Sequence, residues 1–180
     1  MKHTASRLLI FLGILSLVIS VFLVWERNTP GRLSFNLKNT SNNNIYPQSS
    51  QIPKQLIIKD LGIDLPIYPA KIDQNKWEAT TNGVSYLSSS TIPGEKGNSI
   101  IYGHNWTSLL GPLTRAKPGQ NIGVVFSDGS KKDFSIAYIS TVTPNQTSIL
   151  DPSSDTRLTI YTCTGFLDSK RFVVTAISKS

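Results

Sequence analysis

Apolar and polar positions divide the chain into three stretches of different character. Leu8 to Val24 reads LLIFLGILSLVISVFLV, broken only by Gly13, Ser16 and Ser20. At about 1.5 Å per residue, Ala5 to Trp25 spans roughly 31 Å as a helix, close to the hydrocarbon thickness of a bilayer. Lys2 and Arg7 precede the run and favour a cytoplasmic N-terminus. The run is longer than the apolar region of a signal peptide, and no small-x-small cleavage site follows it. An uncleaved signal-anchor is therefore favoured over a cleaved signal peptide. Residues 1–27 are predicted to be a short cytoplasmic end and a single transmembrane helix, with the rest of the chain outside the cytoplasm.

Asn28 to Pro53 changes material. It holds SNNN and QSSQ, three prolines and few aliphatic residues, so it reads as a flexible tether unable to bury enough surface to order itself. From Lys54 to Ser180 short β-rich runs recur: Gln55–Lys59, Ile63–Ile67, Ser99–Gly103, Ile122–Phe126, Asp133–Ser140, Leu158–Cys163 and Phe172–Ile177. Turn signals separate them, among them Pro93-Gly94, Lys117-Pro118-Gly119 and Asp151-Pro152, and Ser127–Ser130 predicts a hairpin. Trp106–Ala116 predicts a short helical turn interrupted at Gly111-Pro112. The fold class is all-β, a sandwich or barrel, in one domain over 54–180.

Composition narrows the chemistry. The net charge of +7 is partly a membrane-flank effect, since residues 54–180 carry 13 basic and 10 acidic side chains. The basic residues are scattered, which argues against a nucleic-acid partner. One cysteine, Cys163, excludes an internal disulfide, and two histidines, His3 and His104, exclude a histidine cage. No acidic cluster has calcium-loop spacing, although Asp60, Asp64 and Asp73 could meet in space, so neither metal nor cofactor is expected.

Cys163 ends a β-rich run in which Leu158, Ile160 and Thr162 share one face and Thr159, Tyr161 and Cys163 the other. Thr164-Gly165 follows, which suggests an exposed thiol beside a loop; an idle buried cysteine is the alternative. His104 ends a second run, after Gly103, at a rim or as an ordinary surface histidine. Arg171 opens the last run on the face of Val173 and Thr175, where it needs an anion or a carbonyl oxygen unless it is a strand-edge surface charge. Together the three could supply a thiol nucleophile, an imidazole acid/base and an oxyanion donor.

These residues resemble a known family, the sortases, membrane-anchored cysteine transpeptidases of bacterial surfaces. Thr159-Ile160-Tyr161-Thr162-Cys163 resembles their T-L-x-T-C signature, and Arg171 follows the cysteine by eight residues. Pro93-Gly94-Glu95-Lys96-Gly97-Asn98 through Gly103-His104 resembles the P-G-x-x-G-N-x-x-x-x-G-H stretch that carries the sortase histidine. Leu113 to Asn121 resembles the L-x-x-L-K-x-G-D segment, with Gln120 in place of the acidic residue. The resemblance implies an eight-stranded sortase-type β-barrel with Cys163 as nucleophile, His104 as acid/base, Arg171 as oxyanion or substrate clamp and Thr162 as a substrate-contacting or positioning neighbour. It implies cleavage of an LPxTG-like sorting signal through a thioacyl enzyme. An amine then resolves the thioester, from a peptidoglycan precursor or a pilin lysine, for wall anchoring or pilus assembly. The expected partners are surface proteins that bear the signal. The short Thr164–Lys170 loop looks like the class E or class F sortases.

Rival readings remain. An L,D-transpeptidase wants a histidine two residues before its cysteine, where Tyr161 stands; an NlpC/P60 peptidase wants one after it, and none follows Cys163. A tethered, non-catalytic β-domain for adhesion would make Cys163 a core residue. Asp168 is expected as a solvated loop charge rather than a triad carboxylate.

Overall fold

The computed structural model describes residues 2–27, 33–37, 51–73 and 76–179. Helix α1 spans Lys2–Arg27, and its Arg7–Trp25 stretch, with a mean hydropathy of 2.9, is long and apolar enough to cross a membrane. Ten strands follow: β1 (Pro53–Ile58), β2 (Ile63–Ala70), β3 (Ile72–Asp73), β4 (Lys76–Trp77), β5 (Val84–Leu87), β6 (Gly97–Gly103), β7 (Asn121–Phe126), β8 (Lys131–Val142), β9 (Thr156–Thr164) and β10 (Lys170–Ser178). Eight of them close a barrel in the order β1-β2-β5-β6-β9-β10-β8-β7, while β3 and β4 pair separately. The predicted barrel is present, and the seven β-rich runs lie on strands, with Lys59 alone falling in the 3₁₀ turn that follows β1.

Two pairings set the topology. Strand β2 runs parallel to β5 and β6 parallel to β9, whereas the other barrel pairs are antiparallel. The predicted hairpin joins β7 to β8; Phe126 N–H donates to Ser130 O at 2.9 Å and Gly129 takes φ +81°, a left-handed value that glycine adopts without Cβ strain. The helical turn is a 3₁₀ helix at Gly111–Arg115, which starts at the Gly-Pro pair instead of breaking there. Pro112 suits the first turn, where its missing N–H would have had no helical partner.

Alternation along the central strands feeds two cores. Ile101, Leu158, Ile160, Val174 and Ala176 face the barrel interior with side chains from all the other barrel strands. On the opposite face, Ile100, Tyr102, Tyr161, Cys163 and Val173 join Trp77 in a second cluster. All seven residues of β6 are buried, because neither face of that strand meets solvent. Burial of this kind contributes roughly 1.5–3 kcal/mol for each large apolar side chain.

The second cluster changes the expected tether. Within 28–53, residues 33–37 are packed on the outer face: Leu33 is 0% and Phe35 1% exposed. The Phe35 ring meets Tyr161 edge-on at 5.1 Å and tilts against Trp77 at 6.1 Å. Asn36 N–H donates to Pro144 O at 3.0 Å. The cause is local, since Leu33-Ser34-Phe35-Asn36-Leu37 alternates apolar and polar side chains and so offers one hydrophobic edge. Of the rest of the expected tether, residues 28–32 and 38–50 lie outside the described residues, while Gln51 and Ile52 lead into β1, which Pro53 opens.

Buried polar bonds tie the outer face to its loops. Asn98 Nδ2 donates to Ile149 O at 2.9 Å and to Asp151 O at 3.0 Å, and Asn98 Oδ1 accepts from Thr159 Oγ1 at 2.7 Å. Asn98→Ala removes the partner of the buried Thr159 hydroxyl and of two part-buried carbonyls, and a buried polar group left without a partner costs about 1–3 kcal/mol. The expected result is a drop of at least about 2 kcal/mol in unfolding free energy, read as a lower denaturant midpoint. Lys131→Ala removes only an exposed pair with Asp133 at 2.7 Å and should cost under about 1 kcal/mol.

Candidate active site

Parallel pairing of β6 and β9 brings His104 and Cys163 together. The register runs Tyr102↔Tyr161 and Gly103↔Thr162, so His104, the residue after β6, falls level with Cys163 in β9. Both side chains line one cleft, with Asn105, Trp106, Leu167 and Asp168. Gly103 is closely packed: a Cβ there would stand 3.2 Å from Leu110 Cδ1 and 3.3 Å from Val84 Cγ1, so those side chains would have to give by a few tenths of an ångström. A larger residue would press on Leu110 and Val84 beside the strand end that carries His104.

Cys163 is 4% exposed, not the open thiol expected from its loop neighbour, because the second cluster covers most of its strand face. His104 is buried to the same extent, and its ring stacks on Trp106 at 4.7 Å with 15° between the planes. Burial lowers the pKa of His104 below the ordinary value of 6.5, and the Asp168 carboxylate opposes that shift. Neutral imidazole, able to accept a proton, is therefore the favoured form at neutral pH.

Asp168 is half-buried on the cleft wall rather than a solvated loop charge. Its loop is strained: Leu167 has φ 49° and ψ 38°, and Asp168 has φ 58°, left-handed values unusual for residues with a Cβ. Arg171 holds that loop. Its Nη1 donates to Asp168 O at 2.8 Å and to Lys170 O at 3.0 Å, and its Nη2 donates to Ser34 O at 2.8 Å. Arg171 pairs directly with Cys163 across β9 and β10, so both side chains stand on one face.

Arg171 is 3% exposed and is not among the residues that line the cleft. Three of its five N–H groups are taken by backbone carbonyls. Its Nε–H is buried without a partner.

Thr162 points to the other face. It is fully buried, and its Oγ1 donates to Gly103 O at 2.8 Å. That bond couples the two strand ends that carry His104 and Cys163, and it keeps Thr162 away from the cleft. Its place supports positioning rather than contact with a substrate. Of the other cleft residues, motif reading gives Trp106 no role and sets Asp168 down as a solvated loop charge. Trp106 carries a signal in its spacing, two residues after His104. Asp168 carries none, because its approach to His104 depends on two left-handed residues. Among the described residues, no group of three or more His, Cys, Asp or Glu side chains is placed to hold a metal ion.

The sortase domain model matches residues 56–178. Sortase C1 of Streptococcus agalactiae, in complex with MTSET, superposes with a TM-score of 0.62 at 22% identity, covering 71% of this chain and 67% of that one. Sortase A of Listeria monocytogenes gives 0.59 at 21% identity, over 72% and 88% of the two chains. Sortase C-1 of Actinomyces oris gives 0.59 at 23%, over 72% and 76%. No curated protein matches the sequence. At these identities the structural likeness speaks for the fold, and it agrees with the family match over most of the chain: the protein belongs to the sortase family, the cysteine transpeptidases.

Proposed function

We propose that this sortase cleaves an LPxTG-like sorting signal at the cell surface through a thioacyl enzyme on Cys163 and transfers the acyl group to an amine. The reading is carried by one observation: the only cysteine of the chain and the only histidine of the barrel domain line the same cleft, at matching levels of two parallel strands. His104 accepts the thiol proton as Cys163 Sγ attacks the carbonyl of the threonine in the scissile bond. It returns that proton to the departing amine as the tetrahedral intermediate collapses to the thioester. An incoming amine then attacks the thioester carbon, His104 takes its proton, and the new amide forms as the sulfur leaves. Arg171, the direct cross-strand partner of Cys163 although outside the cleft lining, donates to the oxyanion or to the substrate carbonyl through an N–H not held by the loop.

A lipid-linked peptidoglycan precursor or a pilin lysine would supply the amine. Helix α1 anchors the enzyme in the membrane once, with the barrel outside. The five residues between β9 and β10, Gly165–Ser169, are the feature behind the class E or F assignment. A peptide library profiled for cleavage, with mass spectrometry of the acyl-enzyme adduct, tests the substrate class directly; a library without any adduct on Cys163 would overturn the proposal.

Cys163→Ala should abolish both adduct and turnover, and His104→Ala should abolish turnover. Full activity in either variant rules out the mechanism.

The pH dependence carries a sign. Because burial depresses the His104 pKa, the folded protein holds fewer protons there than the unfolded chain. That contribution to stability is present above the unfolded value of about 6.5 and is lost as pH falls through the folded value. The acid limb of kcat/KM should follow the same titration. In Asp168→Asn the opposing carboxylate field is gone, so the limb should move to lower pH; a limb that stays in place or moves up would remove Asp168 from the site.

Arg171→Lys keeps the charge and loses the planar fork. The expected loss in kcat is about 10²–10³-fold, the usual effect of deleting one oxyanion donor. Arg157 is the reference: it pairs with Asp155 at 2.9 Å, and Arg157→Ala should leave the rate near the parent's.

A further inference from the structure

We infer that residues 33–37 form a strap that belongs to the catalytic unit and sets the direction of the Arg171 guanidinium. The inference rests on the proposed role of Arg171 and adds positioning residues to it. Four separate contacts join strap and site. Arg171 Nη2 donates to Ser34 O at 2.8 Å. The guanidinium carbon lies over the Phe35 ring, 5.7 Å from its centroid. Buried Tyr161, two residues before Cys163, donates its hydroxyl to Leu33 O at 3.1 Å. Leu33 and Phe35 pack in the same cluster as Tyr161, Cys163 and Val173.

The geometry explains why a strap is needed. The β9–β10 loop holds only one edge of the guanidinium, through Nη1 and the carbonyls of Asp168 and Lys170. Nη1 alone leaves the plane able to pivot. The Ser34 carbonyl fixes the second nitrogen, and the Phe35 face sets the tilt by a cation–π contact, which strengthens when water is excluded. Both anchors are themselves held. The Tyr161 hydroxyl is kept protonated by burial and so remains a donor, and Asn36 is tied to the turn after β8 through Pro144 O and Asn145 Oδ1. With the strap in place, one Nη2–H and the buried Nε–H are the donors left over, so the strap selects which edge of the fork can serve a substrate.

The experiment is a rate cycle on the full chain, with the donor peptide that the library selects and hydroxylamine as acceptor. The variants are Phe35→Ala, Arg171→Ala and the pair. Phe35→Ala should lower kcat about ten-fold or more, shift KM by less than about three-fold, and cost less than about two-fold more in the Arg171→Ala background. Tyr161→Phe removes one hydroxyl while keeping the ring; it should lower kcat through the same coupling, with a melting temperature lowered by a few degrees because the buried Leu33 carbonyl loses its donor, and the fold intact. It decides the matter if Phe35→Ala does not fold. An equal loss with and without Arg171, or an unchanged rate, overturns the inference. A faster Phe35→Ala enzyme also overturns it and makes the strap a competitor for the donor peptide. Parent rates in Arg171→Ala would overturn the clamp reading itself, and the strap's role with it. A slow Arg171→Ala enzyme beside an unaffected Phe35→Ala enzyme overturns the strap alone.

Discussion

The parallel pairing of β6 with β9 is the constraint on which the site depends. Antiparallel neighbours send their ends to opposite rims of a barrel, whereas parallel neighbours finish at the same one. Residues 104 and 163, far apart in sequence, therefore reach one rim at one level. A parallel ladder between strands without a hairpin needs a long connection, and here the 52 residues from 104 to 155 contain both β7 and β8. Cys163 and His104, the proposed nucleophile and base, are thus brought together by a long-range closure of the barrel.

That ladder has no solvent face, which accounts for the character of the site. The inner faces of β6 and β9 fill the barrel, and their outer faces lie beneath Trp77, Leu33 and Phe35. His104 and Cys163 sit where this double burial gives way to a cleft, so the imidazole is desolvated while remaining within reach of the Asp168 field. Thr162 contributes from the inside through Gly103, and Arg171 from the outside through the β9–β10 loop. One histidine is therefore set by contacts on both sides of a single sheet.

Much of the fold was legible in the chain because seven runs are long and β-rich enough to stand out. Strand β5 was not: Val84-Ser85-Tyr86-Leu87 is four residues long, buried throughout, and flanked by Thr, Asn, Gly and Ser. The pair β3 and β4 is shorter still. Faces were readable from period 2, which separated Ile160 from Tyr161 correctly. Which strands pair was not, since a parallel ladder across so long a connection leaves no local mark. His104, Cys163 and Arg171 stood out as residue types and through family motifs. The strap was hidden by averaging, because the alternation of Leu33, Phe35 and Leu37 is diluted by the Asn- and Ser-rich residues around it.

Docking of that strap shortens the leash on the enzyme. A loose connection from Arg27 to Pro53 could extend to roughly 90 Å at 3.3–3.6 Å per residue, whereas the six steps from Arg27 to Leu33 reach about 20 Å. With α1 in a bilayer, the barrel would ride against the headgroups instead of sampling the depth of a cell wall. A search for partners would then be two-dimensional, and the local concentration of any membrane-held donor or acceptor would be set by surface density rather than by the surrounding fluid.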